Sequence, residues 1–203
     1  MVQIQKTQTG LLGTNTYIVE SGDRAVIIDP AGNAAELIKY LENLKPAAIL
    51  LTHGHFDHIG GAEEIADHFD IPIYVHEDDA EMLYDSTKNA SYTLLYRDIT
   101  VGSKNVRTFG SDAELHIYDM IIKAYHTPGH TKGGVSYLIE NHLFSGDLIF
   151  EGSYGRYDLY GGDFGALMNS IKSLMILPDD TLVYPGHGGC RFTLNDYFCS
   201  MGM

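Results

Sequence analysis

The sequence predicts an α/β fold in which helices pack on the outer faces of β-sheets. Strand-like and helix-like segments alternate along most of the chain, an order typical of α/β proteins. Closely spaced strands with sharp turns open the chain, and strands separated by helices follow. The 203 residues are 44% hydrophobic and 20% charged, which is ordinary for a globular protein with a large core. We expect one domain over residues 1–203, because no low-complexity linker divides the chain.

The first half of the chain reads as strands joined by turns and short helices. Strands are predicted at 16–20, 25–29, 47–52 and 71–75, with helices at 34–44 and 61–69 and a short acidic helix at 77–84. Asn33 is placed to cap the helix 34–44, and Pro46 separates that helix from the next strand. Residues 85–112 are polar with scattered aromatics, and we interpret them as a loop or lid.

The second half adds strands on either side of one long helix. Strands are predicted at 115–126, 134–140, 143–149 and 181–184. A helix is predicted over 163–177, because apolar residues from Phe164 to Met175 recur there at helical spacing. We interpret this apolar stripe as core packing.

One short loop carries four side chains that can bind metal. His53, His55, Asp57 and His58 directly follow the predicted strand 47–52. A continuous helix or strand cannot aim all four at one point, so the spacing favours a tight turn. One tetrahedral ion rarely takes four ligands from six consecutive residues. The loop therefore predicts ligands wrapped around two adjacent metal ions.

Three later segments each combine a strand, a glycine-containing turn and a residue that can bind metal. They are Thr127-Pro128-Gly129-His130-Thr131, Phe144-Ser145-Gly146-Asp147 and Tyr184-Pro185-Gly186-His187-Gly188. Glycine permits turns that other residues resist. Turns at strand ends place side chains in a cleft at one edge of the sheets, where functional sites usually lie.

These segments, with Asn15-Thr16-Tyr17 before them, resemble the metallo-β-lactamase superfamily over nearly the whole chain. The resemblance implies an αββα sandwich of two mixed sheets with helices on the outer faces. It also implies two divalent metal ions, for which we expect zinc, with iron or manganese as alternatives. The implied ligands are His53, His55 and His130 for the first ion, Asp57, His58 and His187 for the second, and Asp147 between the two.

Residues 145–163 and 177–187 are similar to the short, single-domain glyoxalase II-like hydrolases. This similarity implies that a hydroxide shared by two metal ions attacks a thioester, such as S-D-lactoylglutathione, to give D-lactate and glutathione. Asp57 is then the catalytic residue that binds metal and aims the hydroxide. A thiol of pKa about 8.5 leaves as thiolate without a dedicated acid. We expect no C-terminal helical glutathione-binding domain, because only residues 188–203 follow the last ligand.

Two other activities fit parts of the same pattern. A mononuclear-iron persulfide dioxygenase would share His53, His55, His130 and Asp147. A lactonase would keep the complete ligand set, so the substrate stays open at this point.

Charge and composition bear on partners and location. The net charge of −14 argues against nucleic acid, including the RNA-processing relatives, and against anionic lipid. The resemblance to the glyoxalase II-like hydrolases implies a small-molecule thioester as the partner, whereas the oligomeric state is not readable from the sequence. No transmembrane run or secretory signal is present. Cys190 and Cys199 are interpreted as free thiols in a reducing cytoplasm, which predicts a cytoplasmic protein.

A few further residues are candidates to support the ligands. Asn15 and Asp29 sit at strand–turn junctions, where each could orient a ligand histidine or serve an ordinary turn. His126 lies four residues before His130 and is a weaker candidate for the same role. Arg156 and Asp158 are expected to pair and hold their loop.

Overall fold

The computed structural model describes residues 1–189 and 191–202 and contains two six-stranded sheets. The first sheet consists of β1 (Gln3–Thr9), β2 (Thr14–Ser21), β3 (Arg24–Ile28), β4 (Lys45–Leu50), β5 (Ile73–His76) and β6 (Val106–Phe109), paired in that order. The second draws on β7 (Ala113–Ile117), β8 (Met120–His126), β9 (Val135–Ile139), β10 (His142–Gly146), β13 (Leu182–Pro185) and β14 (Phe192–Thr193). Its strand order is β14-β13-β10-β9-β8-β7, and β11 (Ile149–Phe150) pairs with β12 (Ser153–Tyr154) in a small hairpin.

The helices are short. They are α1 (Ala34–Leu41), α2 (Phe56–Ile59), α3 (Ala62–Phe69), α4 (Ser91–Leu95), α5 (Phe164–Ser173) and α6 (Leu194–Met201), with 3-10 turns at Glu77–Leu83 and Leu174–Ile176. In the described part of the chain, no helix is long and apolar enough to span a bilayer.

Three apolar layers show how helices and sheets stack. Val26 and Ile28 of β3 face the second sheet, whereas Ala25 and Ile27 of the same strand face α1 and α3. Both faces of this strand are therefore buried, which explains its continuous apolar sequence. The third layer packs the outer face of the second sheet against α5 and α6. The predicted αββα arrangement of two mixed sheets is confirmed.

Strand direction brings the ends of several strands to one edge. β3, β4 and β5 are parallel neighbours in the first sheet. In the second sheet β10 runs parallel to β13 and antiparallel to β9, which is itself antiparallel to β8. The carboxyl ends of β8, β10 and β13 therefore lie together, and each is followed by one of the predicted turns.

The structure departs from the predicted elements in several places. The predicted loop or lid 85–112 contains α4 and β6, and β12, β14 and α6 were not predicted. β1 and β6 were not predicted, because both are mostly polar edge strands without an apolar alternation. The predicted strand 115–126 is two strands, β7 and β8, joined by a tight turn at Tyr118 (φ 55°). Asn33 adopts a left-handed conformation and makes no cap hydrogen bond; its side chain bonds Glu36 instead, so the predicted cap is wrong.

Candidate metal centre

All seven predicted ligands meet at one edge of the sandwich. The loop 53–58 follows β4, and His130, Asp147 and His187 follow β8, β10 and β13. The side chains form two groups in which the potential ligand atoms lie within 4.8 Å of one another. The first group is His53, His55 and His130, and the second group is Asp57, His58 and His187.

The first group is an all-imidazole cluster. His55 Nδ1 lies 2.9 Å from His130 Nε2, and all three rings are buried. Ring nitrogens bound to one tetrahedral zinc at about 2.0–2.1 Å lie roughly 3.3 Å apart. The observed spacing is therefore close to what one shared ion needs.

The second group mixes imidazole with carboxylate. His187 Nε2 lies 3.1 Å from Asp57 Oδ2, and His58 Nε2 lies 3.7 Å from the same oxygen. The Thr14 hydroxyl donates to Asp57 Oδ2 at 3.2 Å. These contacts hold the carboxylate in place between the two rings.

Asp147 lies between the groups. Its Oδ1 is 3.5 Å from His58 Nε2, and its Oδ2 is 3.6 Å from His130 Nε2 and 3.5 Å from His187 Nε2. One carboxylate thus faces rings of both groups, which is the arrangement that a ligand shared by two ions requires.

Three of the histidines are held by a contact to Nδ1, the ring nitrogen that faces away from the centre. Nδ1 of His53 lies 3.0 Å from the Thr52 hydroxyl, and Nδ1 of His130 lies 2.7 Å from the carbonyl oxygen of Arg156. Nδ1 of His58 lies 2.8 Å from Asp29 Oδ2. An outer partner of this kind fixes ring orientation and leaves Nε2 for a metal.

Several atoms at this centre have no partner within the protein. Among the described residues, the buried atoms without a hydrogen bond include His53 Nε2, His58 Nε2 and Asp147 Oδ1. Buried polar atoms are normally paired, so a cluster of unpaired ones indicates a missing partner. Imidazole and carboxylate together suit zinc, iron or manganese. The residues present therefore fit a pair of divalent ions.

The two groups differ in their electrostatics. Burial lowers the pKa of His53 and of His55 well below the usual range. Burial also acts to lower the pKa of His58, but the carboxylates of Asp29, Asp147 and Asp57 outweigh it and raise that pKa to about 10. For Asp57 burial acts upward, yet the nearby His58 and His187 hold its pKa well below normal. Asp57 is therefore ionised.

Two glycines make the close approach possible. A side chain at Gly186 would overlap Asp147 Oδ1 and meet His58, and one at Gly146 would overlap Thr52. Gly146 also has φ 49°, a left-handed conformation that favours glycine. Gly146 and Gly186 thus let the loops that carry Asp147, His187 and His58 pack directly against one another.

The supporting residues were only partly predicted. Asp29 accepts a hydrogen bond from His58 Nδ1, which bears out one role left open for Asp29, and Arg156 donates two hydrogen bonds to Asp158. His126 does not support a ligand, since its Nε2 donates to the Lys132 carbonyl. Asp79, inside the predicted acidic helix, was missed and contacts the ligand loops from behind.

A second histidine cluster does not have the geometry of a metal site. His76, Asp78 and His126 lie close together, but the two imidazole rings stack at 4.0 Å with 10° between their planes. Lone pairs lie in the ring planes, so nearly parallel rings do not converge on one ion. Of the two cysteines, Cys199 is exposed on α6 and Cys190 lies outside the described residues, so their state as free thiols stays a prediction.

Comparison with known proteins places this geometry in a family context. The model of the metallo-beta-lactamase superfamily matches residues 9–187. Probable metallo-hydrolase YqgX of Bacillus subtilis is 39% identical over 190 residues, covering 91% of this chain and 89% of that protein. Hydroxyacylglutathione hydrolase GloC of Haemophilus influenzae is 34% identical over 179 residues, covering 85% of this chain and 84% of that protein.

Solved structures of similar fold support the same family. The crystal structure of the B3 metallo-beta-lactamase BLEG-1 is similar with a TM-score of 0.93 and 39% identity, covering 97% of each chain. The crystal structure of TTHA1623 in a di-iron-bound form is similar with a TM-score of 0.82 and 37% identity. The matched region covers 94% of this chain and 95% of the TTHA1623 chain.

Proposed function

We propose, from the premise that this chain belongs to the metallo-beta-lactamase superfamily and is a metallo-hydrolase, that its substrate is a thioester of the S-D-lactoylglutathione type. The first and second groups would each hold one divalent ion, and Asp147 faces both groups. Zinc is our choice for these ions, and the di-iron form of TTHA1623 makes iron the alternative to measure.

The main observation in support of a thioester is that all seven histidines and aspartates facing the two metal positions are potential ligands. With two ions bound, none of the seven histidines and aspartates is left to protonate a leaving group. An amine or an alkoxide needs such a proton, whereas a thiol of pKa about 8.5 departs as thiolate. The 34% identity to GloC, a hydroxyacylglutathione hydrolase, supports the same substrate class.

The metal ions would supply a Lewis acid and lower the pKa of water to about 7, so that hydroxide is available at neutral pH. The chain supplies position and charge. Asp57 is ionised and fixed by the Thr14 hydroxyl, so its carboxylate can accept a hydrogen bond from the attacking water and aim it. Asp29 and Thr52 fix the rings of His58 and His53.

The first experiment measures metal content and turnover of S-D-lactoylglutathione on the same preparation. We expect about two equivalents of metal per chain and release of glutathione. Fresh protein without metal, or loaded protein that leaves the thioester intact, would refute the proposal.

Asp57→Asn tests the assigned role and has a matched control. We expect this variant to lose most of its activity while staying folded. Asp67→Asn is the control, because Asp67 also accepts a hydroxyl hydrogen bond, from Ser103 at 3.0 Å, but lies away from the centre. Near-normal turnover by Asp57→Asn contradicts its role in aiming water.

A second candidate function is β-lactam hydrolysis, which the similarity to BLEG-1 favours. A chromogenic cephalosporin measured beside the thioester separates the two, because opening a β-lactam produces an amine that must be protonated. Oxygen uptake with glutathione persulfide and turnover of an acyl-homoserine lactone test the dioxygenase and lactonase alternatives in the same series.

A further inference from the structure

Asp79 is a buried carboxylate that joins the two loops supplying the first group. Its Oδ2 accepts hydrogen bonds from the Gly54 N–H at 2.9 Å and from the Thr131 hydroxyl at 2.7 Å. Its Oδ1 accepts from the Gly133 N–H at 2.7 Å. The Asp79 side chain is fully enclosed, and burial raises its pKa. A buried carboxylate is costly unless it is hydrogen-bonded, so these three donors define its place.

The position of those donors is specific. Gly54 lies between His53 and His55, and Thr131 directly follows His130. Asp79 therefore fixes the spacing between two loops whose imidazoles must meet. None of its three hydrogen bonds reaches the segment that carries His187.

Asn15 holds the segment that carries His187 in the way that Asp79 holds the loops of the first group. Its backbone N–H donates to the Gly186 carbonyl at 2.7 Å. Its side-chain amide donates to the carbonyls of Pro185 at 2.9 Å and Gly188 at 3.4 Å. The three carbonyls bracket His187 on both sides. Asn15 is fully buried, and the Tyr17 hydroxyl adds a fourth hydrogen bond, to Pro185, at 2.7 Å.

We propose that Asp79 and Asn15 are positioning residues that tune the two metal positions separately, Asp79 the first group and Asn15 the second. The hydrogen bonds of Asp79 and those of the Asn15 side chain have no partner in common. The inference rests on the metal binding of the proposed function, but not on its substrate.

The chemistry of the substitution explains the expected size of the effect. In Asp79→Asn an amide NH2 replaces one carboxylate oxygen and faces an N–H or O–H donor. The two donors then repel each other, and the loops carrying His53, His55 and His130 must shift. Loss of such an outer partner typically costs roughly 10–100-fold in metal affinity.

The experiment is a titration of metal-free protein with zinc against a chromophoric chelator, which yields two binding constants. The constant that disappears in His187→Ala identifies the second group. We expect Asp79→Asn to weaken the first-group constant by roughly 10–100-fold and Asn15→Ala to weaken the second-group constant by a similar factor. Each variant should leave the other constant unchanged.

A matched control separates positioning from general loss of stability. Asn105 is also a buried amide and donates to the Ala66 carbonyl at 3.4 Å, away from the ligand loops. Asn105→Ala should leave both constants unchanged. Equal losses at both positions in Asp79→Asn or Asn15→Ala, or no loss in a folded variant, would overturn the inference.

Milder variants keep the test decisive where a substitution prevents folding. Thr131→Val removes one of the three donors to Asp79, and Tyr17→Phe removes the hydroxyl that bonds Pro185. Each should weaken only its own constant, by a smaller factor, and an unchanged constant counts against the proposal. Wild-type protein that binds no zinc refutes the proposed function itself, whereas two normal constants in every variant refute only this inference.

Discussion

The first and second groups share one loop but differ in burial and charge. His53, His55 and His130 are all buried, and the first group contains no carboxylate of its own. The second group contains Asp57, and the side chain of His187 is 26% exposed. The loop 53–58 therefore contributes to one enclosed group of three imidazoles and to one partly exposed group that includes a carboxylate.

The difference assigns distinct tasks to the two positions. An ion held by three enclosed imidazoles would exchange slowly, because chelator and water would reach it poorly. An ion beside the partly exposed His187 would be the one that solvent and substrate approach. Asp147, which faces both groups, couples them.

The largest effect is expected from Asp147→Asn, which would break the coupling. The amide keeps the shape but loses the charge that faces His58, His130 and His187. We expect both metal affinities to fall by more than the roughly 10–100-fold that an outer partner costs. Metal content after dialysis measures this loss. Retention of both ions would show that the two positions are independent.

The second-largest effect tests the difference in exposure between the first and second groups. His187→Ala should remove about one equivalent of metal and leave the other in place, since the first group keeps all its residues. His53→Ala in the buried group serves as the comparison and should release the other ion. A wild-type protein treated with chelator should lose metal in two phases, with the faster phase absent in His187→Ala. A single phase of metal loss in the wild-type protein would contradict the expected difference in exchange between the two groups.

A smaller effect is expected from Thr14→Val. The variant deletes the hydroxyl that donates to Asp57 at 3.2 Å, in a fully buried position. One such hydrogen bond contributes about 1 kcal/mol, which corresponds to about a fivefold weaker second-group affinity. The zinc titration described above measures it. A change confined to the first-group constant would be the wrong result.

The smallest effect concerns a buried imidazole outside both groups. Burial, together with the stacked His126, lowers the pKa of His76 below its ordinary value of 6.5. A base with a depressed folded-state pKa contributes stability that is present above pH 6.5 and lost as pH falls through the folded-state value. Wild-type protein should therefore lose more free energy of unfolding between pH 7 and 5 than His76→Gln, as measured by denaturant unfolding at each pH. Identical slopes would contradict this.

The seven side chains that gather at the centre could be predicted because each sits in a short local pattern, and their role as metal ligands stays a prediction. The loop 53–58 is recognisable by itself, and His130, Asp147 and His187 each follow a strand and a glycine. Chain-local rules of this kind need no knowledge of distant contacts. The alternation of strands and helices predicted the fold class for the same reason.

What could not be predicted depends on distant partners or on polar edges. Asp79 meets Gly54 and Thr131, which are 25 and 52 residues away, so its own surroundings in the sequence show only an acidic turn. The strands β1 and β6 are polar and lie at the edges of their sheets, where apolar alternation is not required.

The order of strands along the chain has a consequence for assembly. All pairing in the first sheet lies within residues 3–109, and all pairing in the second lies within residues 113–193. The metal centre is therefore a seam between two consecutive segments, with four ligands on one side and three on the other. A cut at residues 110–112 would divide the protein into two fragments with intact sheets and incomplete sites. Each fragment would expose the apolar face that the two sheets bury against each other, so apolar contact would bring the fragments together and complete the seven-residue centre.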